Sequence, residues 1–239
     1  MDISSKDMEL LRKKYPHNLD EVLNRIKDGY PIQYLIGNVE FLNTIINVDE
    51  RVLIPRFETE LLVDKTIKYI KDMFNKKISI IDLGTGSGCI AITLKKNTNS
   101  FVTALDISKN ALDLAKENAD NNKVDIIFIN GDMEEKLSSN YDVIISNPPY
   151  IPINGYVSES VKNNEPSIAL YAQDNGIYYY KQIINNHLKK LNKPGLMAFE
   201  IGDNEKVYLE EFLKEKDIIN YKFENDLTNR PRYLFIFNE

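Results

Sequence analysis

Asn147-Pro148-Pro149-Tyr150 is the stretch of this chain best equipped for chemistry. Two prolines remove two backbone donors and hold two φ angles, so the segment is a rigid loop. What it offers a ligand is mostly acceptors: the Asn147 side-chain oxygen and the proline carbonyls. A planar amino or amide group can lie with its N–H hydrogens on those acceptors and its face against the Tyr150 ring. Such a site holds an NH2 group still while its nitrogen reacts. A bare Pro-Pro pair is ordinary turn punctuation, so the reading depends on what else the chain carries.

Upstream stands Asp82-Leu83-Gly84-Thr85-Gly86-Ser87-Gly88, between an apolar run and a helix-like segment. Glycines so spaced bring backbone N–H groups and a helix N-terminus close to a ligand, where a Cβ would collide or forbid the turn. Asp106, at the end of the next apolar run, suits a ribose diol. Asp132 is expected to accept from an adenine amino group, with Met133 covering the ring. A nicotinamide or flavin site is the competing reading, but its fingerprint is G-x-G-x-x-G. Here the loop reads G-x-G-x-G and continues into Cys89 and Ile90. Asn-Pro-Pro-Tyr resembles the motif of amino-group methyltransferases that use S-adenosylmethionine, and the two motifs together point to that cofactor.

The elements that must position these residues follow from hydrophobic period. Strands are expected at Ile78–Asp82, Phe101–Leu105, Asp125–Asn130 and Val143–Ile145, each ending where a candidate residue begins. Helices are expected from about Glu58, from Cys89 to about Lys96, and after Ser108, whose hydroxyl can cap the last. Later come a helix over about 176–191, a turn at Pro194-Gly195, a strand Leu196–Ile201, a helix over about 205–216 and strands over 221–224 and 233–237. Alternating strands and helices predict an α/β fold around an open, mostly parallel sheet. Before it, the first thirty residues look helical, with Leu19, Val22, Leu23 and Ile26 at helical spacing, and a hairpin of Val39–Leu42 and Ile45–Val48 follows. This N-terminal part is expected to lack a core of its own and to pack on the main domain. The run Tyr178-Tyr179-Tyr180 is given no function.

A chain of 239 residues accommodates one large domain and a small appendage. The net charge of −6 argues against a duplex nucleic-acid binder, which carries a basic stripe. With Cys89 alone there is no intrachain disulfide, which fits a reducing compartment. His17 and His187 lie far apart and outside any Cys/His cluster, so no metal site is expected. The first ten residues lack a signal-peptide apolar stretch and no run approaches bilayer length, so a cytoplasmic protein is expected.

Taken together, the motifs resemble the peptide chain release factor glutamine methyltransferases, from about Gly29 onward. The resemblance is carried by Pro31-Ile-Gln-Tyr-Leu-Ile-Gly37, Phe41, Leu53-Ile-Pro-Arg56, Glu58-Thr-Glu60, the Asp82–Gly88 loop and Asn147-Pro-Pro-Tyr-Ile151. Glu165-Pro166, Asp174-Asn-Gly176, Glu200-Ile-Gly202, Asp226-Leu227, Arg230 and Arg232 add to it. The resemblance implies a Rossmann-like class I methyltransferase fold with a seven-stranded sheet. Residues 51–239 would form the S-adenosylmethionine-dependent domain, and residues 1–50 a small helical and hairpin segment for substrate recognition. It implies methylation of the amide nitrogen of the glutamine in a Gly-Gly-Gln loop of a class 1 release factor, with S-adenosylhomocysteine as by-product. Gly84, Thr85, Gly86, Ser87, Gly88, Asp106, Asp132, Met133 and Asn147 would then meet the cofactor. Asn147, Pro148, Pro149 and Tyr150 would hold the glutamine, with Asn147, Pro148 and Tyr150 catalytic.

Met133 stands where the family has an aromatic, and Phe57 where it has a proline. Arg56 reads as a surface salt-bridge partner of Glu58 or Glu60, and Glu200 as a cap or brace for the cofactor loops. The competing functions are a ribosomal-protein glutamine methyltransferase, a nucleic-acid adenine methyltransferase acting on an extruded base, and a non-catalytic binding module.

Overall fold

A computed structural model describes residues 3–239. Met1 and Asp2, where the expected N-terminal segment begins, lie outside the described residues. The seven-stranded sheet runs Tyr221–Asn225, Pro231–Asn238, Leu191–Glu200, Tyr141–Ser146, Ile78–Leu83, Ser100–Asp106, Ile127–Asn130 across its width. Pro231–Asn238 pairs antiparallel with both of its neighbours, and the remaining pairings are parallel. Ile78–Leu83 leads the chain to Ser100–Asp106 on one side, while Tyr141–Ser146 lies on its other side. That reversal opens a crevice at the carboxyl ends of the strands, the usual ligand position in such sheets.

Alternation along each strand feeds two cores. Ile80, Val102, Val143, Ala198 and Phe235 pack under the helices Phe57–Met73, Cys89–Asn97 and Lys109–Asn121. Ile81, Ile144, Met197, Phe199 and Leu234 face the helices Tyr178–His187 and Glu205–Glu215. Central strands buried on both faces must be apolar throughout, which is why Val143–Ile145 reads as a continuous run.

The structure departs from expectation in three places. Three helices, Ser5–Lys14, Leu19–Lys27 and Ile32–Ile36, open the chain. Between them Leu11, Val22, Ile26 and Leu35 close into a small apolar cluster, so this segment does have a core of its own. Phe41, Ile46 and Val48 of the hairpin join the main core instead. The Leu191–Glu200 strand begins five residues earlier than the periodicity places it, before Pro194 and Gly195. Its ladder with Tyr141–Ser146 jumps from Leu191 to Leu196, leaving the proline, which has no donor, outside the pairing. A short parallel pair, Ile151–Pro152 with Tyr171–Ala172, anchors the segment after Tyr150.

Candidate active site

The glycine loop leaves Leu83 and enters the Cys89–Asn97 helix with Gly88 as its N-cap. Gly88 has φ +82°, and a Cβ there would sit 3.2 Å from that of Ala115. Only glycine allows the Lys109–Asn121 helix to pack so near. The loop's amide hydrogens are largely committed inside the protein. Gly84 and Thr85 donate to the Leu105 carbonyl at 2.8 and 3.0 Å, and Gly88 donates to Thr85 O at 2.9 Å. Gly86 N donates to Asp106 Oδ2 at 2.8 Å. The loop therefore contributes close approach more than the row of free donors its glycines suggest.

A cleft with a cavity volume of about 120 Å³ opens beside it. Gly84, Gly86, Asp106, Asp132, Met133, Asn147 and Pro149 line it. Thr85 and Ser87 do not: both are buried, the Thr85 hydroxyl donating to Asp82 Oδ2 at 2.5 Å. In a turn that alternates glycine with a side-chain residue, the side chains point to the protein and the bare Cα atoms to the cleft. Gly88 lies behind, under the helix, and Pro148 is buried in the loop's own packing. Tyr179, given no function in the sequence, lines the cleft with Ile107 and Ser108.

Asp106 keeps both oxygens on backbone donors, Ser108 N at 2.8 Å and Gly86 N at 2.8 Å, and each oxygen retains a lone pair. Burial raises its pKa while those two bonds oppose the rise. Beneath it, burial pushes the Asp82 carboxyl up to about 7. Asp132 Oδ1 accepts from Glu134 N at 2.9 Å. The Met133 carbonyl accepts from His187 Nε2 at 2.7 Å, and its methyl group lies over Gly84.

Asn147 lines this cleft and also a second cavity bounded by Arg56, Tyr150, Ile151, Tyr156 and Val161. Its Nδ2 donates to Thr59 Oγ1 at 3.1 Å, and Thr59 Oγ1 donates to Glu200 Oε2 at 2.6 Å. The Tyr150 hydroxyl donates to Glu200 Oε1 at 3.3 Å. Burial, reinforced by the Glu200 charge, raises the Tyr150 phenol, so it remains a donor. Burial also pushes Glu200 up to about 7. Glu200 thus braces the Asn-Pro-Pro-Tyr loop, not the cofactor loops.

Arg56 pairs with neither Glu58 nor Glu60. Its Nη2 donates at 2.6 Å to Glu165 Oε1, whose side chain is 1% exposed. Glu165 Oε2 accepts from Ile54 N at 3.1 Å, so one carboxylate ties the 51–56 segment to the 165–169 segment across the cleft mouth. Asn118, fully buried, donates to the carbonyls of Ser87 and Asn47 at 2.9 and 3.0 Å and fastens the hairpin to the glycine loop. Thr59 and Glu165 entered the sequence reading only inside the family motifs and Asn118 not at all, because a polar residue's burial is decided by tertiary packing. The one local sign was Glu165 directly before Pro166 within an otherwise polar stretch. Among the described residues no group of three His, Cys, Asp or Glu is arranged to hold a metal ion, and no helix is long and apolar enough to cross a membrane.

A seven-stranded sheet with one reversed strand, a glycine loop at its switch point and an Asn-Pro-Pro-Tyr loop beside it define a class I methyltransferase. Residues 59–175 match the methyltransferase small domain. A solved methyltransferase from Pyrococcus furiosus superposes with TM-score 0.59 at 17% identity, over 91% of this chain and 98% of that one. The hMettl16 catalytic domain does so with TM-score 0.63 at 19% identity, over 82% and 76%. More specifically, the chain belongs to the release factor glutamine methyltransferase family. It is 38% identical over 216 residues to the release factor glutamine methyltransferase of Lactococcus lactis, covering 87% of this chain and 79% of that one. To that of Mycoplasma mycoides it is 35% identical over 246 residues, covering 99% and 86%.

Proposed function

We propose that this chain methylates the side-chain amide nitrogen of the glutamine in the Gly-Gly-Gln loop of a class 1 peptide chain release factor. The observation that carries the reading is Asn147 in the wall common to two cavities, one beside the glycine loop and one beside Tyr150. An amide held on Asn147 from the second cavity has its nitrogen turned to the first. The named activity of relatives covering most of the chain supports the substrate.

S-adenosylmethionine supplies a methyl group already activated on a sulfonium. The first cavity suits it: Gly84 and Gly86 leave room, Asp106 keeps lone pairs for a diol, and Asp132 can accept from an adenine amino group beside Met133. The chain's own residues do the rest. An amide nitrogen is a poor nucleophile because its lone pair is delocalised into the carbonyl. Asn147 Oδ1 and the Pro148 carbonyl accept the two amide hydrogens and aim the nitrogen. Orientation of this kind is worth up to ~7–11 kcal/mol in ideal cases. Positive charge growing on nitrogen strengthens both hydrogen bonds in the transition state, where strengthening accelerates the reaction. Tyr150, next to Pro149, covers the amide plane and excludes water. No base is needed before methyl transfer: the sulfonium C–S bond breaks as the N–C bond forms, S-adenosylhomocysteine is the leaving group, and one amide proton then passes to solvent. Residues 1–50 and the second cavity's rim contact the release factor; the Tyr34 hydroxyl, donating to Val52 O at 2.6 Å, holds that segment to the 51–56 strap.

The test is to incubate the protein with S-adenosylmethionine and a purified class 1 release factor, then map a gain of about 14 Da by peptide mass spectrometry. The gain is expected on the Gly-Gly-Gln glutamine and is lost with Asn147→Ala, which still binds the cofactor. A normally methylating Asn147→Ala protein would refute the assigned role.

A further inference from the structure

Two buried polar residues take no part in the chemistry above. Thr59, in the first turn of the Phe57–Met73 helix, is 3% exposed, and Glu200, at the end of its strand, is 1% exposed. Burying such groups is costly unless something requires them. They meet behind Asn147, linked by the 3.1 and 2.6 Å hydrogen bonds. We infer that Thr59 and Glu200 are positioning residues, a one-way hydrogen-bond relay that holds the Asn147 amide with its oxygen toward the substrate. The inference rests on the functional reading above.

Asn147 has two chemically different ends of nearly equal size, and either can face the substrate. With the oxygen outward it accepts a substrate N–H; with the NH2 outward it meets that N–H donor to donor, and the reacting amide is repelled. Thr59 has one hydroxyl hydrogen. It goes to Glu200, so only lone pairs remain toward Asn147, and these accept from Nδ2 alone. An ionised carboxylate has no hydrogen to return, so the sense cannot reverse. The other Glu200 oxygen receives the Tyr150 hydroxyl, and one carboxylate thereby fixes both groups that flank the substrate amide. Neither Thr59 nor Glu200 lines either cavity, so both act through their partners.

The experiment measures steady-state methylation of a purified class 1 release factor at pH 8.5, where Glu200 is ionised, by wild type and four variants: Thr59→Val, Thr59→Ser, Glu200→Met and the double change of Thr59→Val with Glu200→Met. Thermal unfolding confirms folding, and calorimetry gives cofactor affinity. Thr59→Val keeps shape but loses the hydroxyl, and kcat is expected to fall about tenfold, the value of one orienting hydrogen bond. KM for the release factor and cofactor affinity stay at wild-type values. Thr59→Ser, which keeps the hydroxyl, retains the wild-type kcat. Glu200→Met frees the Thr59 hydrogen to turn toward Asn147 and also releases the Tyr150 hydroxyl, so its kcat falls at least as far. The double variant is no slower than Glu200→Met, because without Glu200 the Thr59 hydroxyl no longer fixes the amide. Wild-type kcat in Thr59→Val, losses that multiply, a loss carried by KM or cofactor affinity, or no rescue by serine would each overturn the relay. A release factor left unmodified by the wild type would instead overturn the functional reading, and the relay with it.

Discussion

Glu200 makes the stability of this enzyme depend on pH in a way that one substitution should remove. Its carboxyl is 1% exposed, and burial pushes its pKa from an ordinary 4.5 up to about 7. A raised pKa means that the folded protein holds the proton more tightly than the unfolded chain. The stabilisation is therefore complete below 4.5 and is lost as pH rises through 7. The difference corresponds to about 3 kcal/mol, at about 1.4 kcal/mol per tenfold change in proton affinity. That is a large part of the ~5–15 kcal/mol of a typical domain. Glu200→Gln keeps an acceptor for the Thr59 hydroxyl and cannot ionise. In urea titrations from pH 5 to pH 8.5, the wild type should lose stability across the window and the variant should lose about 3 kcal/mol less. At pH 5 the two should nearly coincide. Asp82, raised to about 7 by the same cause, contributes equally to both proteins and cancels in the comparison. Parallel curves for wild type and variant would refute the reasoning.

The Arg56–Glu165 pair should be asymmetric. Arg56→Met leaves a buried carboxylate holding only the Ile54 amide, and about 2–3 kcal/mol should be lost, below the ~3–5 of a fully buried pair because Arg56 is a third exposed. Glu165→Gln, which keeps that acceptor, should cost less in the same denaturation series; equal losses would contradict the pairing. At the glycine loop, Gly88→Ala combines a left-handed backbone with the Ala115 contact and should lower the melting temperature more than Gly86→Ala, where a Cβ meets nothing within 4 Å. Gly86→Ala should instead weaken S-adenosylmethionine binding in calorimetry, since Gly86 faces the cleft.

The parts of this molecule that follow from its sequence are those written in local pattern. The Val143–Ile145 run and the glycines at 84, 86 and 88 each obey a short-range rule, and the sheet follows from the alternation of strands and helices. Asn147 and Tyr150 were legible because prolines between them confine the backbone. Thr59 and Glu200 were not, although both lie in stretches that carry the family resemblance. They come from distant parts of the chain, and their meaning lies in a burial and a pairing that no period encodes. Thr85 and Ser87 show the converse. The loop was legible, but which side of it faces the ligand depends on the helix packed behind Gly88. Ile32–Ile36 is a helix too short to announce itself by period, and it gains stability by closing Leu35 over Leu11 of Ser5–Lys14.

Asn147 lines both cavities, and Leu53 and Ala169 do so as well. One molecule carrying a nucleoside-like portion and a carboxamide portion, joined by a short tether, would occupy both compartments at once. Its second contact would be made at the effective concentration set by the tether, not by the solution, and affinities that are modest separately would compound. A rigid tether matched to the span between the compartments would gain most, and one too short for that span would not reach.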